Sequence, residues 1–93
     1  MLEVEYRKRF DKSFWELPED VRDLMTDAIG EFFKTVEEKK PARKGLGLKK
    51  YHDDYWEIRT ELGTRILFEW VGSKVSFALF GSHDDLKKFI KNR

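Results

Sequence analysis

Ninety-three residues with a formal net charge of +1 suffice for one domain, residues 1–93, and for no second one. Forty per cent are apolar and 15% aromatic, which argues against a disordered chain; zero cysteines exclude a disulfide scaffold and cysteine-ligated zinc, and two histidines argue against a histidine-rich metal site. No apolar run approaches the roughly 18 residues of a membrane span, and the opening MLEVEYRKRF lacks a signal-peptide stretch, so a bacterial-type cytoplasmic domain without a membrane partner is expected.

Leu2 to Tyr6 alternates apolar and polar residues, the period of a half-buried strand. Asp11 is placed to cap a short helix presenting Phe14 and Leu17. Pro18 stands near the first turn of a second helix, with Glu19 and Asp20 favourable at its positive end. Val21, Leu24, Met25, Ala28, Ile29, Phe32 and Val36 then recur in steps of three and four, one continuous apolar stripe that predicts a helix ending near Lys39, before Pro41. Gly45 and Gly47 punctuate a basic loop, after which the period falls to two.

Tyr55–Arg59 and Arg65–Trp70 are predicted strands around a turn at Glu61–Thr64, with Ile66, Phe68 and Trp70 on one face. Gly72-Ser73 is a second tight turn. The run from Lys74 to Phe80 is apolar on both faces, as a central strand should be: Val75, Phe77 and Leu79 on one, Ala78 and Phe80 on the other. Ser82 or His83 starts a last helix carrying Leu86, Phe89 and Ile90. The expected fold is α+β, in the order β-α-α-β-β-β-α, with a helical hairpin on one face of a small, mainly antiparallel sheet. The other face, with the C-terminal helix beside it, is expected to stay available.

The net charge conceals an asymmetry. Residues 1–42 carry a balance of −3 and residues 43–93 a balance of +4. The basic excess lies in RKGLGLKK (43–50) and LKKFIKNR (86–93). Such clusters fit a polyanionic partner and are equally common as solvated surface.

The residues in order resemble the RelE/ParE superfamily of bacterial toxins over nearly the whole chain. Phe10-Asp11-Lys12 with Leu17-Pro18 matches the entry to the helical hairpin, and Leu48-Lys49-Lys50 the basic approach to the second strand. Tyr55-Trp56-Glu57-Ile58-Arg59 followed by Arg65-Ile66-Leu67-Phe68 matches the family's double strand, and Phe80-Gly81-Ser82-His83 the end of its last strand. The resemblance implies the toxin of a type II toxin–antitoxin system: a ribosome-dependent mRNA endonuclease, or mRNA interferase, cutting message in the A site. A cognate antitoxin would wrap its sheet and helices. The ParE branch instead inhibits DNA gyrase and cleaves no RNA.

Cleavage of this kind uses attack of a 2′-OH on the adjacent phosphate and calls for no metal or cofactor. It needs proton transfer to and from oxygen, and cations at the pentacovalent phosphate, a role suited to arginine. From the residues alone, Arg65 is an exposed strand arginine paired with Glu57 or Glu61, and His83 caps the last helix. The resemblance implies that Arg65 stabilises the phosphate and His83 transfers a proton, with Arg59 lining the same surface. It further implies that Lys49 and Lys50 clamp the backbone, that Lys87, Lys88, Lys91 and Arg93 hold RNA phosphates, and that Phe89 stacks on a base. The alternatives are a solvated lysine pair and a core phenylalanine. His52, in the Tyr51–Asp54 turn, is a candidate second acid/base. Trp15, Trp56 and Trp70 are core or interface anchors. Leu46 departs from one nuclease branch, which carries a glutamate base at that position. A small RNA-binding module, loosely similar to double-stranded RNA-binding domains, and an inactive toxin relic are the blander alternatives.

Overall fold

The computed structural model describes residues 1–43 and 45–93; Lys44 of the basic loop lies outside them. The described residues form β1 (Glu3–Tyr6), α1 (Lys8–Trp15), α2 (Glu19–Glu37), β2 (Lys49–His52), β3 (Tyr55–Arg59), β4 (Arg65–Val71), β5 (Lys74–Gly81) and α3 (His83–Asn92). The strands make one sheet in the order β1-β5-β4-β3-β2. β1 runs parallel to β5, and every other pair is antiparallel. The expected α+β class holds, with one strand more than periodicity predicts.

That strand is β2. Lys49-Lys50-Tyr51-His52 has no apolar alternation to reveal it, yet it pairs with β3 through Lys49↔Glu57 and Lys50↔Trp56. It is a sheet edge, where lysines are common because they discourage pairing with another chain. His52 therefore ends a strand instead of lying in a turn. The turn is Asp53-Asp54, with Asp53 at φ 52°, a left-handed conformation that aspartate tolerates better than most residues.

Packing also overrides local capping in α1. The helix starts at Lys8, three residues before Asp11, with Arg7 extended at its cap. Phe10 and Phe14, one turn apart, supply the reason: Phe10 is buried edge-on against Phe80, with ring centroids 5.3 Å apart. α2 keeps its predicted span, with Pro18 at the cap position and Met25, Ala28, Ile29 and Phe32 buried. The hairpin of α1 and α2 covers Ile58, Ile66, Phe68, Val75 and Phe77 on one face of the sheet.

The other face is closed in part by α3. Leu86 is fully buried there, and Phe89 and Ile90 pack with it on Tyr55, Leu67, Ala78 and Leu79. The expectation of an open second face is thus corrected. The facing of β5 is corrected too. Leu67 pairs with Leu79 and Phe68 with Phe77, so Ala78 is the extra residue of a bulge. The bulge turns both Ala78 and Leu79 toward α3 and leaves Phe80 with Val75 and Phe77 on the hairpin side.

Candidate nucleic-acid interface

The strip of the second face that α3 leaves uncovered is built by strand alternation. Glu57 and Arg59 project from β3 on the same side, and the register sets Lys49 of β2 opposite Glu57 and Arg65 of β4 opposite Arg59. Glu57 is completely buried. Its Oε1 accepts a hydrogen bond from Arg65 Nη1 at 2.8 Å and lies 3.2 Å from Lys49 Nζ. Its Oε2 is buried without a partner. Of the two acids open to Arg65 in the sequence, the structure selects Glu57; among the described residues Glu61 makes no ion pair.

Arg59 stands under the basic loop. Its backbone N–H donates to Leu46 O at 2.7 Å, which extends the β2–β3 ladder past the end of β2. Gly47 makes room for its guanidinium: a Cβ there would lie 2.6 Å from Arg59 Nε, and the φ of +64° also favours glycine. That Nε is buried without a partner. Leu46 is fully buried in the hairpin-side core, so the chain places an apolar anchor there and no carboxylate.

β5 delivers His83 to the same end of the sheet, because its last residue, Gly81, is the Cα partner of Arg65. Ser82 is the N-cap of α3 and forms a capping box with Asp85; His83 is the first helical residue. Gly81 is needed for that box, since a Cβ at position 81 would run into the Asp85 carboxylate. Two hydrogen bonds from Ser82, with Lys88 and Arg9 nearby, hold the Asp85 carboxyl below the usual carboxylate range. The exposed His83 ring meets Tyr51 of β2 edge-on, centroids 6.3 Å apart.

Lys87 and Lys91 follow His83 at spacings of four and continue its side of α3. Lys88 instead borders a cleft against α1, with Arg9, Asp85 and Asn92. Lys50 pairs with Trp56, whose ring packs on the hairpin-side core, so alternation separates Lys50 from Lys49. Phe89 lies edge-on to Tyr55 at 5.7 Å, inside the second core cluster. His52 closes the far end of β2, 3.4 Å from Asp53. The structure therefore brings Lys49, Arg59, Arg65 and His83 together, and sets Lys50, Lys88, His52 and Phe89 apart from them.

The far end of the same face is electrically closed. Arg93 donates to Asp53 at 2.7 Å, and Arg7 pairs with Glu69 at 2.7 Å while donating to Tyr55 Oη at 3.0 Å. Each arginine there has its own carboxylate. At the near end Lys49 and Arg65 share one carboxylate, that of Glu57, and Arg59 stands beside them on the same face. Glu57 and Tyr51 complete this end, and sequence reasoning gave neither a functional role. The signal for Glu57 is a carboxylate at the middle of a strand, flanked directly by the apolar Trp56 and Ile58.

The fold that carries this site is the RelE/YafQ toxin fold. In particular, the chain is similar to a copper-bound mutant toxin from Helicobacter pylori, at 18% identity and a TM-score of 0.67 over 92% of this chain and 99% of that one. It is similar to the toxin of the intact RelBE toxin–antitoxin complex of E. coli (17%, TM-score 0.62, 88% and 96% covered). A third similar chain comes from the RelB–RelE antitoxin–toxin complex of Methanococcus jannaschii (20%, TM-score 0.64, 92% and 98% covered). No family model matches the sequence, and neither does any curated protein.

Proposed function

We propose that this chain is the toxin of a type II toxin–antitoxin pair and acts as a ribosome-dependent endoribonuclease, an mRNA interferase, held inactive by a cognate antitoxin. The observation that carries the reading is the placement of Lys49, Arg59 and Arg65 on one strip of the sheet, where Lys49 and Arg65 share a single buried carboxylate, with His83 at the end of that strip. Like charges placed directly opposite on a sheet, as Arg59 and Arg65 are, disfavour the pairing, and among the described residues Glu57 pairs with Arg65 and not with Arg59, which leaves a place for a second anion. A phosphodiester supplies that anion.

In the proposed reaction the 2′-oxygen of the substrate attacks phosphorus and the P–O5′ bond breaks. A 2′,3′-cyclic phosphate and a 5′-hydroxyl result. The proton of the 2′-OH passes to solvent water, and one is delivered to the leaving 5′-oxygen. We assign the proton delivered to the 5′-oxygen to His83, whose ring is exposed and, among the described residues, makes no hydrogen bond. Arg65 and Arg59 take up the charge that develops on the phosphate oxygens, and Lys49, Lys87 and Lys91 hold the flanking backbone in the A site.

The test is cleavage of ribosome-bound message, mapped by primer extension, with wild type, Arg65→Ala and His83→Ala. Cuts by the wild type that both variants lose support the reading. Growth arrest without any cut message removes it. One observation favours a second reading: Leu46 occupies a position where a nuclease branch carries its base, and it is buried. A ParE-like inhibitor of DNA gyrase needs no base, and a supercoiling assay with purified protein identifies it.

A further inference from the structure

Glu57 is out of place energetically. A fully buried carboxylate is costly, and its neighbours satisfy only one of its oxygens: Oε1 serves both Arg65 Nη1 and Lys49 Nζ, while Oε2 is buried and unpartnered. An apolar residue would suit the strand better, since Tyr55 and Leu67, the neighbours of Glu57 on this face, belong to a hydrophobic cluster. What the carboxylate achieves is a fixed orientation for Arg65. It engages one Nη of the guanidinium and, among the described residues, leaves the rest of the fork without a protein partner, on a side chain that is 23% exposed. That free edge is the part a phosphodiester can grip in bidentate fashion.

We infer that Glu57 is a positioning residue for the phosphate site: it aims Arg65 and tethers Lys49, and it does not touch the substrate. The inference rests on the nuclease reading for its kinetic consequence, and on geometry alone for its structural one. Two effects of the carboxylate oppose each other. Its negative charge weakens RNA binding at a site that would otherwise carry three cations. Its hydrogen bond orients the arginine for the reaction. Removing the charge while keeping the shape therefore separates binding from turnover, which loss of a merely structural residue does not do.

The experiment compares wild type with Glu57→Gln in three measurements: thermal unfolding, binding of a short single-stranded RNA across a salt series, and single-turnover cleavage of ribosome-bound message. The expected result is an RNA affinity at least twofold tighter with a steeper salt dependence, since an added unneutralised cation steepens the slope, and a cleavage rate at least tenfold slower. Binding and cleavage that weaken together with a lowered Tm overturn the inference, because Glu57 is then structural. Binding and cleavage that both improve overturn it as well, because Glu57 then competes with substrate. If the wild type cuts no message, the nuclease reading fails and the Arg65 Nε–H resonance in 15N NMR decides: a slowly rotating guanidinium in wild type that becomes averaged in Glu57→Gln supports the positioning role, and an unchanged signal overturns it.

Discussion

The two faces of the sheet are built from the same strands, residue by alternate residue, and they are put to opposite uses. Under the α1–α2 hairpin, Phe10, Met25, Phe32, Ile66, Phe68 and Phe77 form a buried, largely aromatic core with no charged member. Under α3 the apolar cluster is smaller, and a strip beside it holds a buried carboxylate and three cations. A helix pair that covered both faces would have left no such strip. The shorter α3, ten residues against the nineteen of α2, leaves room for it. Stability and proposed chemistry are therefore separable by the parity of a residue along β3 and β4, and substitutions one position apart should have effects of different kinds.

The largest effect is expected on the hairpin face. Phe68→Ala removes a fully buried ring that meets Phe32 at 4.7 Å and should cost about 3–5 kcal/mol in a denaturant titration, with toxicity lost through unfolding. Three residues earlier in β4 and of the other parity, Arg65→Ala should lower cleavage by about 10²–10³-fold and, because it leaves the buried Glu57 with Lys49 alone, should cost less stability than Phe68→Ala without unfolding the chain. Gly47→Ala acts between the two. The left-handed backbone should cost about 1–2 kcal/mol, and displacement of Arg59 should weaken RNA binding in a filter assay. Ser82→Ala removes the cap of α3 and should cost about 1 kcal/mol of unfolding free energy, lowering protection of the α3 amides in hydrogen exchange.

The smallest effect is a pH dependence at the same cap. Because Asp85 titrates below its unfolded value, its contribution is complete above the ordinary aspartate range and is lost as pH falls through the depressed folded value. Amide protection in α3 should decline on acidification below about pH 4 in wild type. Asp85→Asn should lack that decline; a decline of equal size in the variant would assign it to other carboxylates.

Periodicity made most of the hairpin face legible. The part of the stripe from Met25 to Val36 and the alternation of Ile66, Phe68 and Trp70 place those residues where they lie, because burial there is the strongest force on the chain. Three features were harder to read, each for a physical reason. β2 is a charged edge held by backbone hydrogen bonds, which leave no apolar pattern. The bulge at Ala78 breaks the alternation of β5, and no residue type in SFALF announces it. α1 starts where Phe10 must reach the core, ahead of the residue that caps best.

Within the candidate site, Arg65 and His83 were named through the family resemblance, and the register of Arg65 with Gly81 supplies the geometry that unites them. Glu57 entered only as a salt-bridge partner, because burial of a strand carboxylate follows from what packs above it. Lys50 was grouped with Lys49 by adjacency in sequence, and a strand sends adjacent residues to opposite faces.

The central claim is that the uncovered strip beside α3 is a phosphate site for RNA chemistry. Primer extension on ribosome-bound message with wild type, Arg65→Ala and Val71→Ala tests it most directly. Val71 is an exposed residue at the far end of the same strand as Arg65. The account predicts cuts within the A-site codon by wild type and Val71→Ala alike, and loss of those cuts in a folded Arg65→Ala. Equal cleavage by Arg65→Ala and wild type would contradict it.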